Sequence, residues 1–81
     1  MITQSGVYRI DAPDETRCTY LHTGVYEVTV QRGEAHFRDV LTGSGTFERV
    51  SMMNAFEKQG RILCTLLRAD IARTSQEREA A

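Results

Sequence analysis

The stretch His36-Phe37-Arg38-Asp39 sets an imidazole, a guanidinium and a carboxylate within four positions, the residue types that proton transfer and anion stabilisation call for. Chemistry also needs them to converge on one point. If Phe37 faces a core, the two-residue period of a strand puts His36 and Arg38 together on the outside, with Asp39 inward or at a break in the strand. His36 and Arg38 would then join Glu34, together with Glu27 and Thr29 of the preceding strand, on a solvated face. The reading is a charged strand surface with no catalytic group.

The other candidates fare similarly. Cys18 and His22 are four positions apart, a metal-ligand spacing on a helix, but on an extended strand they sit ~13 Å apart and cannot share one ion. The serines lie at a helix start, in turns or in the tail, outside any nucleophile elbow. The glycines of Thr42-Gly43-Ser44-Gly45 lack the lysine and following helix of a phosphate loop. The expectation is therefore a chain that is not an enzyme and binds no metal or cofactor.

Binding chemistry is better supplied. Tyr8, Tyr20, Tyr26 and Phe37 alternate with Arg9, Arg17, Arg32 and Arg38, the combination that base stacking and phosphate contact use. Against a nucleic-acid partner, Tyr26 and Phe37 share their faces with Val28 and Ala35, and Asp11, Asp14, Glu15, Glu27 and Glu34 would repel phosphate. The formal charge of −1 removes any general field toward polyanions. A protein partner is the less demanding reading, since arginine, tyrosine and methionine are interface residues. The candidate contacts are Arg32 and Arg38, with His36 and Tyr26 beside them. Nucleic acid is the alternative partner.

Length and composition bound these choices. Eighty-one residues suffice for one domain with a modest core, and self-association is compatible with so small a core. No stretch approaches the ~20 apolar residues that span a bilayer, and the start of the chain lacks a basic segment followed by an apolar run, so a cytoplasmic protein without a membrane partner is expected. Two cysteines, Cys18 and Cys64, read as reduced core residues because small disulfide scaffolds are secreted and richer in cysteine.

Strand patterning dominates the first fifty residues. GVYRI (6–10) is a short strand ended by the turn-forming Asp-Ala-Pro-Asp-Glu. RCTYLH (17–22) and VYEVTVQ (25–31) read as a hairpin closed at Thr23-Gly24, and Arg32-Gly33 turns the chain into AHFRDVL (35–41). The adjacent Val40 and Leu41 break the alternation, which predicts a bulge there. Thr42–Gly45 is the next turn and TFERV (46–50) the fifth strand. Ser51 is a good N-cap for a helix over 51–59 carrying Met52, Met53 and Phe56, with Gly60 at the C′ position. Residues 61–67 fit either a closing strand, with Ile62, Cys64 and Leu66 on one face, or a helix, and the strand is favoured. The domain is expected over 1–67, with a helical or frayed tail over 68–81. The predicted core is Tyr8, Ile10, Cys18, Tyr20, Val28, Val30, Phe37, Phe47, Phe56 and Leu63.

The succession GVYRI, RCTYLHTG, YEVTVQRG, AHFRDVLTG and the SMMNAFEKQG helix resembles the SH3-like small β-barrel, which has five strands and a short helix before the last. Residues 17–60 also look like short proteins of bacteriophages and other mobile elements in which such a barrel ends in an apolar-aromatic helix. The resemblance implies a mainly β (α+β) domain that works by binding, either inhibiting or redirecting a host protein or accompanying a nucleic-acid machine. It rests on strand order and on the placement of Phe56 and Gly60, and it assigns no residue a role.

Overall fold

A computed structural model describes residues 1–13 and 21–69. Its architecture grows from the Arg32-Gly33 turn. Both residues have positive φ, 52° and 79°, the type I′ geometry whose twist matches that of the strands it joins. The turn sets β2 (Gly24–Gln31) against β3 (Glu34–Asp39), with Val28 opposite Phe37, Glu27 opposite Arg38 and Thr29 opposite His36. Val28 and Phe37 are buried and the other pairs lie on the outer face. The turn and the faces expected for this hairpin are the ones found.

β4 (Gly45–Arg49) continues the meander beside β3. The predicted bulge at Val40-Leu41 is instead the turn itself. β3 ends at Asp39, whose carboxylate accepts hydrogen bonds from the amides of Leu41 at 2.8 Å and Thr42 at 3.3 Å, and its backbone closes the loop onto Gly43 and Ser44. The Asp39 side chain thereby stops the strand earlier than apolar patterning suggested. Val40 and Leu41 are left exposed.

On the other side, β2 pairs with β1 (Gly6–Asp11). Residues 17–20 of the strand expected over 17–22 lie outside the described residues, and Leu21 and His22 are not in a strand. The Thr23 hydroxyl accepts from the Ala12 amide at 2.9 Å and donates to the Ala12 carbonyl at 3.0 Å, so the chain leaves and re-enters the sheet at one place. The Tyr26 hydroxyl likewise holds both backbone groups of His22. These side-chain clasps satisfy the backbone that a hairpin ladder would otherwise have satisfied.

After β4 comes α1 (Val50–Lys58) and then β5 (Leu63–Ala69), which pairs with β1. All pairings are antiparallel and the order is β4-β3-β2-β1-β5. The sheet is unclosed among the described residues, with β4 and β5 as its edges, so five strands and one helix are present without the closure of a barrel. The helix begins one residue before the expected Ser51 cap. Its N-cap is Arg49, which makes no side-chain capping bond, because the chain passes straight from β4 into the first turn. The other end follows expectation: Gly60, at φ 76°, donates to the Glu57 carbonyl, and Arg61 donates to that of Phe56, a Schellman closure. Residues 63–69 take the strand option, and β5 runs past the predicted domain end at 67.

The core joins Tyr8, Ile10, Val28 and Phe37 from the sheet, Met53 and Phe56 from α1, Ile2 from the start of the chain, and Ile62 and Cys64 around the entry to β5. Val30 packs at its margin. Phe47 and Leu63, predicted in the core, are 62% and 53% exposed. Register excludes them: Phe47 opposes outward His36, while Leu63 opposes Asp11. Predicted core residues Cys18 and Tyr20 lie outside the described residues. The start of the chain is held by Asn54, whose side chain accepts from the Ile2 amide at 3.0 Å and donates to the Ile2 carbonyl at 3.3 Å.

Candidate functional site

The outer face of the β2–β3–β4 meander gathers most of the polar side chains singled out in the sequence. Arg38 donates to Glu27 across the hairpin at 2.8 Å. One row nearer the turn, His36 stacks on Phe47 of β4, with ring centroids 5.7 Å apart and planes 26° from parallel. Glu34 stands 3.9 Å from the His36 imidazole. Between these groups is a shallow depression of about 260 Å³ lined by Glu27, Thr29, His36, Phe37 and Arg38.

Phe47 is the residue that sequence reasoning misplaced. β4 carries one large apolar residue, and its inward positions are held by Thr46 and Glu48, opposite Phe37 and Ala35. The signal was present in the neighbouring strand: once the turn fixes His36 outward, whatever opposes His36 must be outward as well.

The candidate contacts divide. His36 and Arg38 are exposed on this face, as expected. Arg32 is exposed but sits at the apex of the β2–β3 turn, where the Gly33 carbonyl accepts from the first amide of α1 at 2.9 Å. It belongs to the rim of the surface, beyond the Gln31–Glu34 pair that is itself two rows from Arg38. Tyr26 leaves the set: it is 4% exposed, its ring packs edge-on to Phe37 at 6.2 Å, and its hydroxyl is occupied by His22. It fell inward because Tyr26 and Val28 share the strand parity that buries Phe37.

The arrangement bears on reactivity. Asp39 is engaged by turn amides and does not face His36, so the three polar groups of the opening stretch do not converge. Among the described residues no group of three His, Cys, Asp or Glu side chains is placed to hold a metal ion. Cys64 is buried, and burial first, with the Glu57 and Asp11 carboxylates adding to it against the opposing N-terminal amine, pushes its thiol from 9.0 up to about 11. A thiol so protonated is a poor nucleophile. Two further depressions exist, of about 290 Å³ between Leu21, Tyr26 and the 42–46 segment and about 280 Å³ around Pro13, Ile62 and Leu63. The first is also lined by His22, Asp39 and Ser44, and the second by Asp11, Glu57 and Arg61. No helix among the described residues is long and apolar enough to cross a membrane.

The chain matches no protein-family model, no curated protein and no solved structure at a significant level.

Proposed function

We propose that this chain is a small, non-enzymatic interaction module that binds a protein partner through the outer face of the meander and so regulates or inhibits it. The observation that carries the proposal is the exposed Phe47 ring, 62% accessible and stacked on His36 one row from Arg38. A large apolar ring held on a rigid strand, beside an arginine, is the composition of an interface anchor with its polar surround. Arg38 is also oriented, because Glu27 holds its guanidinium at 2.8 Å, so less side-chain freedom is lost when a partner carboxylate docks. A helix directly before the final strand accords with an SH3-like plan, and the resemblance to phage-borne proteins and the reduced-cysteine composition point to a cytoplasmic regulator of a host or phage protein.

The same surface supports a second reading, since an exposed aromatic ring beside arginines can also stack a nucleotide base. The acids Glu27 and Glu34 within the patch, and the formal charge of −1, weigh against it by opposing phosphate. The test is affinity capture from the native host with and without nuclease, using the unaltered chain and the Phe47→Ala and Arg38→Ala variants. The expected result is a nuclease-resistant partner that is lost with either substitution while the circular dichroism spectrum is unchanged. Retardation of RNA or DNA at physiological salt, falling steeply as salt rises, would replace the proposal by the nucleic-acid reading.

A further inference from the structure

Tyr26, Asp39 and Thr46 are inward residues of neighbouring strands. Asp39 opposes Tyr26 across β2 and β3, and Thr46 opposes the buried Phe37 across β3 and β4. With Leu21 and the turn that follows β3 they line the depression of about 290 Å³ described above, to which α1 contributes no residue. That volume lies at the low end for small-molecule sites, which run from roughly 300 to 1,000 Å³. Its floor is apolar: Leu21 and Tyr26 are buried, and the Tyr26 hydroxyl is occupied by the backbone of His22, so the ring offers carbon alone. Its mouth is polar, with His22, Thr42 and Ser44 exposed around it.

Charge decides what such a site holds. No lysine or arginine lines it, and Asp39 is its one carboxylate. Glu27, Glu34 and Asp11 each stand beside a basic side chain, whereas Asp39 has no basic partner among the described residues. Its Oδ1 accepts from the amides of Leu41 and Thr42, which fixes the carboxylate and leaves Oδ2 to a ligand. A half-buried carboxylate held in place without a counter-charge favours a cationic donor. Floor and mouth then fix the cation's form. An ammonium on a short apolar body sets the body on Leu21 and the Tyr26 ring and the charge at Asp39, with the Ser44 and Thr46 hydroxyls as further acceptors. A lysine side chain entering from solvent would carry its charge first, onto apolar surface, at a cost in desolvation. We propose that this pocket binds a small alkyl- or arylammonium ion. It opens on the inner side of the sheet, away from the face assigned to the protein partner, and stands independently of that reading.

The test is titration of the full-length protein with benzylammonium, followed by backbone amide chemical shifts. Saturable shifts at Leu21, His22 and Thr46 in the millimolar range are expected, with none at Arg38 on the outer face, and benzoate should bind at least tenfold more weakly. Asp39→Asn keeps a side-chain oxygen for the amides of Leu41 and Thr42 while removing the charge, and should weaken benzylammonium tenfold or more with an unchanged circular dichroism spectrum. As a second route that spares the Asp39 cap, Ser44→Lys places a fixed ammonium at an exposed position whose backbone alone serves the turn, and should exclude the ligand to the same extent. No saturable shift with benzylammonium, equal binding of benzoate, affinity unchanged in either variant, or tighter binding of a lysine side chain, supplied as Nα-acetyl-lysine methylamide, would each overturn the proposal.

Discussion

Phe37 and Phe47 lie on adjacent strands and point to opposite faces, so one substitution made at both positions separates the core from the outer surface. Phe37 is 2% exposed, opposes Val28, and meets Tyr26 edge-on at 6.2 Å and 88°. Its truncation to alanine removes a complete ring burial and leaves a cavity, a loss of about 3–5 kcal/mol, toward the upper end because Tyr26 also loses its aromatic neighbour. A domain of this length holds about 3–5 kcal/mol in all, so Phe37→Ala should be largely unfolded without denaturant. Phe47 is 62% exposed and leans only on His36. Full burial of such a side chain contributes about 1.5–3 kcal/mol, and with less than half of it covered Phe47→Ala should cost about 1 kcal/mol or less. Urea titration followed by circular dichroism measures both, and Phe37→Leu supplies an intermediate point if the alanine variant has no folded baseline. Equal losses at the two positions, or a larger one at Phe47, would refute the assignment of faces and with it the exposed ring on which the binding surface depends.

Three further outcomes follow from local geometry. Arg32 holds φ 52° without being glycine, so Arg32→Asn, the residue favoured at that position of a type I′ turn, should stabilise the fold by about 0.5–1 kcal/mol in the same titration. Asn54→Ala leaves both backbone groups of Ile2 without their partner and should cost about 1–3 kcal/mol, whereas a neutral result would mean water replaces the clasp. The Cys64 thiol has its folded-state pKa raised from 9.0 to about 11, so it binds its proton more tightly folded than unfolded. The stability it contributes is whole below pH 9 and declines between pH 9 and about 11, by at most ~1.4 kcal/mol per pH unit. Unfolding curves across that range should show a decline that Cys64→Ala lacks.

Patterns of period two were the part of the fold that could be read directly. The β2–β3 hairpin, its Arg32-Gly33 turn and the outward placement of His36 and Arg38 follow from alternation and from the conformational freedom of one glycine. The α1 helix and its Gly60 terminus follow from apolar spacing and from a residue able to adopt positive φ. What escaped were features decided by distant partners. β2 lies beside β1, and Thr23 and Tyr26 bind backbone at Ala12 and His22, contacts that local patterning does not encode. Ile2 is buried because Asn54 holds it, not because its neighbours alternate. Phe47 is exposed because of register across two turns, and an isolated five-residue reading favours the core for any phenylalanine. Tyr26, named among the contacts, belongs to the core for the opposite reason: the alternation it shares with Val28 already pointed inward.

The clasp between Ile2 and Asn54 and the pairing of β1 with β5 unite parts of the chain separated by 52 positions in the first case and by most of the domain in the second, from Gly6 to Ala69. Closing such long loops before any contact rewards them is slow. The β2–β3–β4 meander needs only short connections, so it should assemble first, with the β1–β5 seam completing the molecule. Pulse-labelled hydrogen exchange should find β2 and β3 protected ahead of β5, and the reverse order would contradict this. β5, with Leu63, Leu66 and Leu67 exposed along it, is then ordered only with the last step of folding, and a chain still on its way to the native state lacks the strand that covers β1.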